Sequence, residues 1–208
     1  NNWLLTDNGL GMIRPGEWQP VNYFVETQGK QDGMNQAFYA VRECEDDICF
    51  TSDRGRIWCY QKKSGEFRLH ELPTKARITS IHAVGNDNTV VTTDSDGFFL
   101  SNLKTNKHIH YSPVTCKELS DQPILSAYVD RTSEVWFEQE EPGVVVHFNP
   151  ATGVVKREQM RVEYSNADRS RPAFHIHEDI HGHVWVHPYG GGFSYFDRER
   201  NCLVPFYD

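Results

Sequence analysis

The chain has 208 residues and a formal net charge of -8, with 38% hydrophobic, 12% aromatic and 24% charged residues. This composition is typical of a folded globular protein that buries an apolar core. The negative charge argues against nucleic acid and anionic membranes as partners, because phosphate binding needs a concentrated lysine and arginine surface. The longest apolar run, Gly143 to Phe148, is far shorter than the roughly 20 residues that cross a bilayer. We therefore expect no membrane-spanning segment in this sequence.

The five cysteines are odd in number and irregular in spacing, unlike a disulfide framework or a paired zinc site. They are Cys44, Cys49, Cys59, Cys116 and Cys202. Buried free thiols are the first expectation. Cys49 and Cys59 are the exception, because they would lie nearly opposite each other across a hairpin, where a cross-strand disulfide is conceivable but geometrically demanding. The sequence leaves both redox states of this pair open.

The predicted elements, in chain order, are short strands separated by polar turns, and no helical period competes with them. The first three predicted strands correspond to the last three of a four-stranded repeat without its first: Trp3–Thr6, Gly11–Ile13 and Val21–Val25. Four complete repeats follow, with the strands Ala37–Val41, Ile48–Thr51, Ile57–Tyr60 and Phe67–Leu72; Ile78–Ala83, Thr89–Thr93, Phe98–Ser101 and His108–Tyr111; Ile124–Tyr128, Glu134–Phe137, Val144–Phe148 and Val154–Lys156; Ala173–His177, His183–Val186, Phe193–Asp197 and Cys202–Tyr207.

A glycine stands in the turn between the second and third strands of each complete repeat, where a tight hairpin needs positive φ. These structural turn residues, Gly55, Gly97, Gly143 and Gly192, are 42, 46 and 49 residues apart. That period is close to the roughly 40 to 50 residues of a four-stranded propeller blade. The sequence therefore predicts an all-β fold, a β-propeller segment of four complete blades and a partial N-terminal blade. The predicted blades are 1–33 (partial), 34–75, 76–117, 118–168 and 169–208, an arc of a larger propeller of about seven blades that continues in both directions.

One passage carries a specific repeat motif: Glu178 to Asp197 reads EDIHGHVWVHPYGGGFSYFD. It resembles the two-component-regulator propeller repeat, which reads roughly E-D-x-x-G-x-[IL]-W-[IV]-x-x-x-x-G-G-[LI]-x-x-[FY]-[DN]. The segments 130–137 and 5–12 are weaker copies. The first and second complete repeats have Cys49 and Val91 where the motif has tryptophan. The assignment of these two repeats therefore depends on their spacing along the chain rather than on the motif.

The resemblance implies a segment of the periplasmic sensor domain of a Bacteroides-type hybrid two-component system. In that family large propellers precede an immunoglobulin-like domain, a membrane helix, a histidine kinase, a receiver and a DNA-binding region, and typical inputs are oligosaccharides from glycan breakdown. The implied location is the periplasm, as the ectodomain of an inner-membrane protein. The implied partners are the rest of the same propeller, the adjacent ectodomain and a second copy in a homodimeric receptor, with membrane contact only through a downstream helix.

Histidines and acids are the candidates for other chemistry, and we predict neither a metal nor a cofactor. His175 and His177 would share a strand face and could ligate a metal, but no further ligands at zinc spacing support them. Two acidic clusters, Glu138, Glu140 and Glu141 in one and Glu178 and Asp179 in the other, could form a glycosidase pair, yet the sequence cannot place two carboxylates at the separation that this chemistry needs. We expect solvated turn charges and no catalytic residue.

Candidate ligand-binding residues come from the loops at one end of the blades, where the turns between second and third strands meet the connections between blades. Planar tyrosine and bidentate arginine suit sugar hydroxyls and uronate carboxylates. The turns contribute Arg54, Asp96, Glu141 and Tyr189, and the connections contribute Arg77 and Arg171.

Three functions remain open from the sequence. The first is a non-catalytic sensor that binds an oligosaccharide and signals to a transmembrane kinase through domain rearrangement. The second is a propeller enzyme, a lyase or hydrolase, that acts on polysaccharide. The third is a propeller for protein interaction or dimerisation without a small ligand. The sensor is the prediction, and the other two are its alternatives.

Overall fold

The computed structural model describes residues 1–6, 9–23, 37–44, 46–85, 87–141, 143–159, 175–187 and 193–206. These residues form nineteen β-strands in five antiparallel sheets, one of three strands and four of four strands. None of them belongs to a helix that is long and apolar enough to cross a membrane. The all-β fold class predicted from the repeats is confirmed. The chain divides into two compact units, residues 1–81 and 82–208, and the boundary falls within strand β8 (Ile78–Val84).

The first unit holds the three-stranded sheet and one four-stranded sheet. The three-stranded sheet consists of β1 (Asn2–Thr6), β2 (Gly9–Ile13) and β3 (Val21–Tyr23). The four-stranded sheet consists of β4 (Phe38–Glu43), β5 (Asp47–Ser52), β6 (Arg56–Gln61) and β7 (Phe67–Glu71). The predicted extension of the third strand to Phe24 and Val25 lies outside the described residues.

Three further sheets follow along the chain. The first consists of β8, β9 (Asn88–Thr93), β10 (Phe98–Asn102) and β11 (Lys107–Tyr111). The second consists of β12 (Ile124–Val129), β13 (Val135–Gln139), β14 (Val144–Asn149) and β15 (Val154–Gln159). The third consists of β16 (His175–Glu178), β17 (Val184–His187), β18 (Ser194–Asp197) and β19 (Cys202–Pro205). Strands that are neighbours in each sheet are also neighbours in sequence, as in a propeller blade.

Within each unit, successive sheets meet in the same way. In the second unit β9 contacts β12 and β13 contacts β16, so the second strand of one sheet lies against the first strand of the next. In the first unit β1 makes the same kind of contact with β4. By this criterion β1 is a second strand, and β1 to β3 correspond to the last three strands of a blade, as predicted.

Aromatic and aliphatic side chains from both sheets form the core of the first unit. Leu10, Phe38, Phe50 and Trp58 are buried there, and other aromatic rings pack around them. The rings of Trp3 and Phe50 are 4.9 Å apart. Large rings of this kind bury much apolar area, so this packing contributes to holding the two sheets together.

In the second unit the sheet β12–β15 is covered on both faces. Val144, Val145 and Val146 are each at most 1% exposed. One face packs on β8–β11, where the ring centres of Phe98 and Phe137 lie 4.5 Å apart. The other face packs on β16–β19. A strand that is apolar on both faces therefore has a partner on each side, which explains the valine run.

The joint between the sheets β12–β15 and β16–β19 also contains buried charges. The Asp130 carboxylate has no exposed surface, and it accepts hydrogen bonds from Trp136 Nε1 at 2.9 Å and Arg198 Nη2 at 2.8 Å. Glu178, on β16, accepts a hydrogen bond from the backbone N–H of Arg131 at 2.8 Å and forms an ion pair with the Arg131 guanidinium. We call these five residues the Asp130 joint. It fixes the loop after β12 to the first strand and the last turn of the following sheet.

The glycines of the predicted turns adopt the expected backbone. The φ angles of Gly55, Gly97 and Gly143 are 68°, 64° and 70°. Gly97 has a further reason to be glycine, because a Cβ there would overlap the carbonyl oxygen of Tyr111. Gly192 lies outside the described residues.

Cys49 and Cys59 form a disulfide bond. They are direct partners across the β5–β6 hairpin, with Cα atoms 4.0 Å apart, and each is 3% exposed. The expectation of free buried thiols is therefore wrong for this pair, and the alternative of a cross-strand bond holds. Cys44, Cys116 and Cys202 are free and half-buried.

Candidate functional site

Two of the predicted ligand residues lie together at one end of the sheet β4–β7. Arg54 is in the β5–β6 turn and Arg77 is in the connection that leads from β7 to β8. The two segments are held side by side because the backbone N–H of Gly55 donates to the carbonyl of Ala76 at 3.0 Å. Both arginines are exposed. The structure therefore brings these two residues together as the loop argument expected.

Sequence reasoning missed two residues of the same end, Tyr39 and Asp53. The Tyr39 hydroxyl donates to Asp53 Oδ2 at 3.2 Å, and the Arg77 guanidinium carbon lies 5.0 Å from the centre of the Tyr39 ring. We call Tyr39, Asp53, Arg54 and Arg77 the Tyr39 cluster. The signal for Tyr39 was its place beside Phe38: in a strand, neighbours face opposite ways, so when Phe38 is buried Tyr39 points outward.

The Tyr39 cluster combines an exposed aromatic ring with polar and cationic groups. The ring is 38% exposed, and one guanidinium is stacked on it. Partial burial and the negative charge of Asp53 raise the pKa of the Tyr39 phenol. The phenol therefore stays protonated at neutral pH and serves as a hydrogen-bond donor. An aromatic face with fixed donors beside it suits a ligand with both apolar and polar surface, such as a sugar ring.

Asp96 and Glu141 occupy the predicted turns, but both carboxylates are already engaged. Asp96 Oδ1 lies 3.1 Å from His110 Nε2, and the His110 ring stacks on Phe99. Glu141 forms a bidentate pair with Arg157, whose hydrogen bonds lower the pKa of the Glu141 carboxyl. In both cases the partner comes from the fourth strand of the same sheet. These residues brace their own sheets, and each would have to leave a partner to contact a ligand.

The two remaining predicted ligand residues, Arg171 and Tyr189, lie outside the described residues. Of the six predicted positions, two therefore lie together, two are engaged in ion pairs within their own sheets, and two have no described position.

The histidine-rich segment is used for packing and hydrogen bonding where it is described. His175 and His177 lie on one exposed face of β16, as predicted. His183 Nδ1 lies 3.0 Å from Asp179 Oδ2, and His187 stacks on Phe193. Among the described residues no three histidine, cysteine or acidic side chains are grouped to hold a metal ion.

The expectation of solvated turn charges is wrong for part of the acidic group, because the Glu178 side chain is 6% exposed and Glu141 is half-buried. Glu138 is half-buried as well. Burial raises the pKa of the Glu138 carboxyl, while the nearby His175 opposes that shift. The carboxylate also accepts a hydrogen bond from the backbone of Ile176. A half-buried carboxyl with a raised pKa beside an imidazole is a common arrangement for proton transfer, although ion-pair networks perturb pKa values in the same way.

No protein-family model matches the chain, and no curated protein is significantly similar to it. Among solved structures, the extracellular domain of a hybrid two-component system from B. thetaiotaomicron is similar with a TM-score of 0.70 and 17% identity, over 97% of this chain and 28% of that one. Another extracellular domain of this kind from the same organism has a TM-score of 0.56 and 14% identity, over 98% and 33%. Virginiamycin B lyase from Staphylococcus aureus, in an inactive variant with quinupristin, has a TM-score of 0.69 and 14% identity, over 96% and 63%.

These likenesses establish the fold. The chain has the fold of a partial β-propeller, and the structures that share it include extracellular domains of the class whose repeat the sequence resembles. The chain spans about a third or less of the length of those two extracellular domains, at 28% and 33%. The lyase shares the fold as well, so the fold is common to sensors and enzymes.

Proposed function

We propose that the chain is a non-catalytic segment of an extracytoplasmic sensor propeller, which binds glycan-derived oligosaccharides and passes their occupancy to a transmembrane histidine kinase. The observation that carries the proposal is the Tyr39 cluster, where Arg77 stacks on an exposed aromatic ring at the loop end of a blade and Arg54 lies in the adjacent turn. The fold shared with extracellular domains of hybrid two-component systems supports it.

The Cys49–Cys59 disulfide supports the extracytoplasmic part of the proposal. Disulfides form and persist in oxidising compartments such as the periplasm and the cell exterior, and they are rare where thiol reductants are kept at high concentration. A fully buried cross-strand bond is a structural bond of the fold. It is therefore in keeping with a domain in the periplasm, on the outer side of an inner membrane.

Binding is tested by titrating the purified chain with a panel of glycan oligosaccharides in a calorimeter. We expect Tyr39→Ala to weaken binding of any active oligosaccharide at least tenfold, because it removes the ring. Trp18→Ala is the matched control: Trp18 is 96% exposed and lies in the β2–β3 turn of the same unit. Equal loss in both variants, or none in either, would contradict the role of the Tyr39 cluster.

Signalling is tested in the full-length protein. An active oligosaccharide should raise autophosphorylation of the kinase or expression of a reporter gene, and Tyr39→Ala should shift the half-maximal concentration upward. A full response with unchanged sensitivity in Tyr39→Ala would separate this segment from ligand detection.

A propeller enzyme is the second candidate, and Glu138 is the observation that favours it. A carboxyl with a raised pKa beside His175 could exchange a proton with a bound polysaccharide. Incubation of the protein with polysaccharides, followed by detection of new reducing ends or of unsaturated products, tests this function. Cleavage of a polysaccharide that disappears in Glu138→Gln would favour the enzyme. If the protein cleaves none of the polysaccharides whose oligosaccharides it binds, the sensor is favoured.

A further inference from the structure

Among the described residues, the end of the sheet β4–β7 that carries the Tyr39 cluster is rich in basic side chains, although the protein is acidic. Arg54, Lys75 and Arg77 are exposed there, and the charge of Arg56 is matched by Glu71 at 3.3 Å. Asp53 precedes Arg54 in the same turn, and its carboxylate accepts the Tyr39 hydroxyl. The formal net charge of the whole chain is -8. Local positive charge against this background favours an anionic ligand.

Arg54 adopts a backbone conformation that arginine disfavours. Its φ is 58°, and φ of the next residue, Gly55, is 68°. Two successive residues with positive φ are typical of a type I′ hairpin turn, whose first position is normally Asn, Asp or Gly. The described residues contain other non-glycine residues with positive φ, and two of them, Asn106 and Asn201, are the residue type that tolerates it best. A long cationic side chain in this position costs stability, and such costs cluster at functional sites.

Arg77 is held in place before any ligand arrives. Its guanidinium lies over the Tyr39 ring, and the Tyr39 hydroxyl is fixed by Asp53 at 3.2 Å. The connection before Arg77 is tied to the β5–β6 turn through Ala76 and Gly55. A preorganised guanidinium loses little conformational entropy on binding, and its planar fork matches the two oxygens of a carboxylate.

We propose that the Tyr39 cluster recognises a carboxylate-bearing sugar, a uronate residue of an oligosaccharide. Arg77 and Arg54 donate hydrogen bonds to the carboxylate, and the exposed part of the Tyr39 ring contacts the apolar face of the sugar. This inference rests on the proposed oligosaccharide-binding function and adds the charge of the ligand. Arg54 is kept in an unfavourable turn conformation because its charge is needed there.

The experiment compares two oligosaccharides of equal length that differ only in this group, tetragalacturonate and tetragalactose. Calorimetry on the 208-residue chain should show at least tenfold tighter binding of the uronate, with affinity falling as salt rises. Arg54→Asn should remove most of that preference. Lys63→Ala is the matched control, because it removes one positive charge from the β6–β7 turn at the opposite end of the same sheet. A sulfated tetragalactose that binds as tightly as the uronate would overturn the carboxylate as the recognised group.

The outcomes separate this inference from the proposed function. If tetragalactose binds as well as tetragalacturonate and Tyr39→Ala abolishes both, the oligosaccharide site stands and the preference for uronate is overturned. If neither tetrasaccharide binds, while other oligosaccharides bind Tyr39→Ala as tightly as the unmodified chain, the Tyr39 cluster is not the binding site. That result would overturn both the preference for uronate and the role of the Tyr39 cluster in the proposed function.

Stability provides a second readout that a purely structural arginine would not give. Asn suits positive φ better than Arg, so Arg54→Asn should unfold at an equal or higher temperature than the unmodified chain while binding uronate more weakly. A lower melting temperature together with unchanged uronate affinity would show that Arg54 serves the fold, and would overturn the inference.

Discussion

Trp136 Nε1 donates a hydrogen bond to Asp130 Oδ2 at 2.9 Å, six residues earlier in the chain. The relationship recurs in the next sheet, where Trp185 Nε1 donates to Asp179 Oδ2 at 2.9 Å, again across six residues. In both loops the aspartate also accepts backbone N–H groups two and four residues ahead. The residue three positions after each aspartate has positive φ, Ser133 at 66° and Gly182 at 91°. The aspartate and tryptophan of the repeat motif therefore close one loop structure.

Removal of the buried aspartate should be costly. Asp130→Ala leaves the buried Trp136 N–H without its acceptor and removes the buried carboxylate that pairs with Arg198, so we expect a loss of about 3–5 kcal/mol in the free energy of unfolding. Asp179→Ala should cost less, because the Asp179 side chain is 25% exposed whereas that of Asp130 is fully buried. Urea denaturation of both variants, with the exposed Asp121→Ala as control, measures the difference. Equal losses for Asp130 and Asp121 would contradict the account.

Acid should weaken the fold through the same carboxylates. Burial disfavours the charge of Asp130, but hydrogen bonds from Arg198, Trp136 and Thr132 outweigh it and lower the pKa of this carboxyl below that of an ordinary aspartate. The hydrogen bond from Trp185 lowers the pKa of Asp179 in the same direction. As the pH falls, the unfolded chain binds protons before the folded chain does, so this stability is present above about pH 4 and is lost below it. Urea midpoints from pH 7 to pH 2 should fall mainly below pH 4, and the fall should be smaller in Asp130→Asn.

The disulfide should contribute to stability through a short loop. Cys49 and Cys59 are separated by 10 residues, and closing such a loop in the unfolded state stabilises the fold by about 2–3 kcal/mol. We expect the double variant Cys49→Ala with Cys59→Ala to lose this amount, and a thiol reductant to have no further effect on it. Cys202→Ala should remain sensitive to the reductant. If a thiol assay confirms that the disulfide of the unmodified chain is reduced, and the free energy of unfolding nevertheless stays the same, the prediction is contradicted.

Gly85 and Gly97 have nearly the same φ angle, so alanine substitutions at the two positions distinguish the cost of backbone strain from the cost of steric overlap. Gly85 has φ of 62° and no atom within 4 Å of where a Cβ would stand, whereas at Gly97, with φ of 64°, a Cβ would overlap the Tyr111 carbonyl. Gly85→Ala should therefore cost only the backbone strain, about 1–2 kcal/mol. Gly97→Ala should cost about 1–3 kcal/mol more, because β10 and the end of β11 must move apart. Thermal unfolding of both variants measures this difference, and equal costs would argue against close packing at Gly97.

The repeat could be predicted from the sequence because its signals are local. Positive φ at Gly55, Gly97 and Gly143 follows from tight turns, and the strands between them alternate or are fully apolar according to their burial. The six-residue spacing of Asp130 and Trp136, seen again at Asp179 and Trp185, was also a local signal. It was present in the motif and would have predicted the hydrogen bond.

The partners of charged loop residues could not be predicted, because they depend on pairing between distant segments. Glu141 meets Arg157 and Asp96 meets His110 only when the fourth strand is in register, so both looked like free turn charges. Arg198 reaches Asp130 across 68 residues of sequence.

The disulfide depended on one residue of strand register. A shift by one would have turned Cys49 and Cys59 to opposite faces of the sheet, because side chains alternate along a strand. The sequence could name the pair, but the exact register of β5 and β6 comes from the packing of the whole sheet.

The Asp130 joint has a consequence for how such arrays change in copy number. The sheet β16–β19 carries Glu178 and Arg198, which complete the joint with the preceding sheet, and it also carries its own Asp179 and Trp185 loop. A gene segment that encodes one sheet of this kind thus encodes both halves of the joint. Tandem duplication of this segment would give copies whose joints match each other, whereas β12–β15 has Val129 at the position of Glu178 and Pro150 at that of Arg198, so a second copy of that sheet would lack one half.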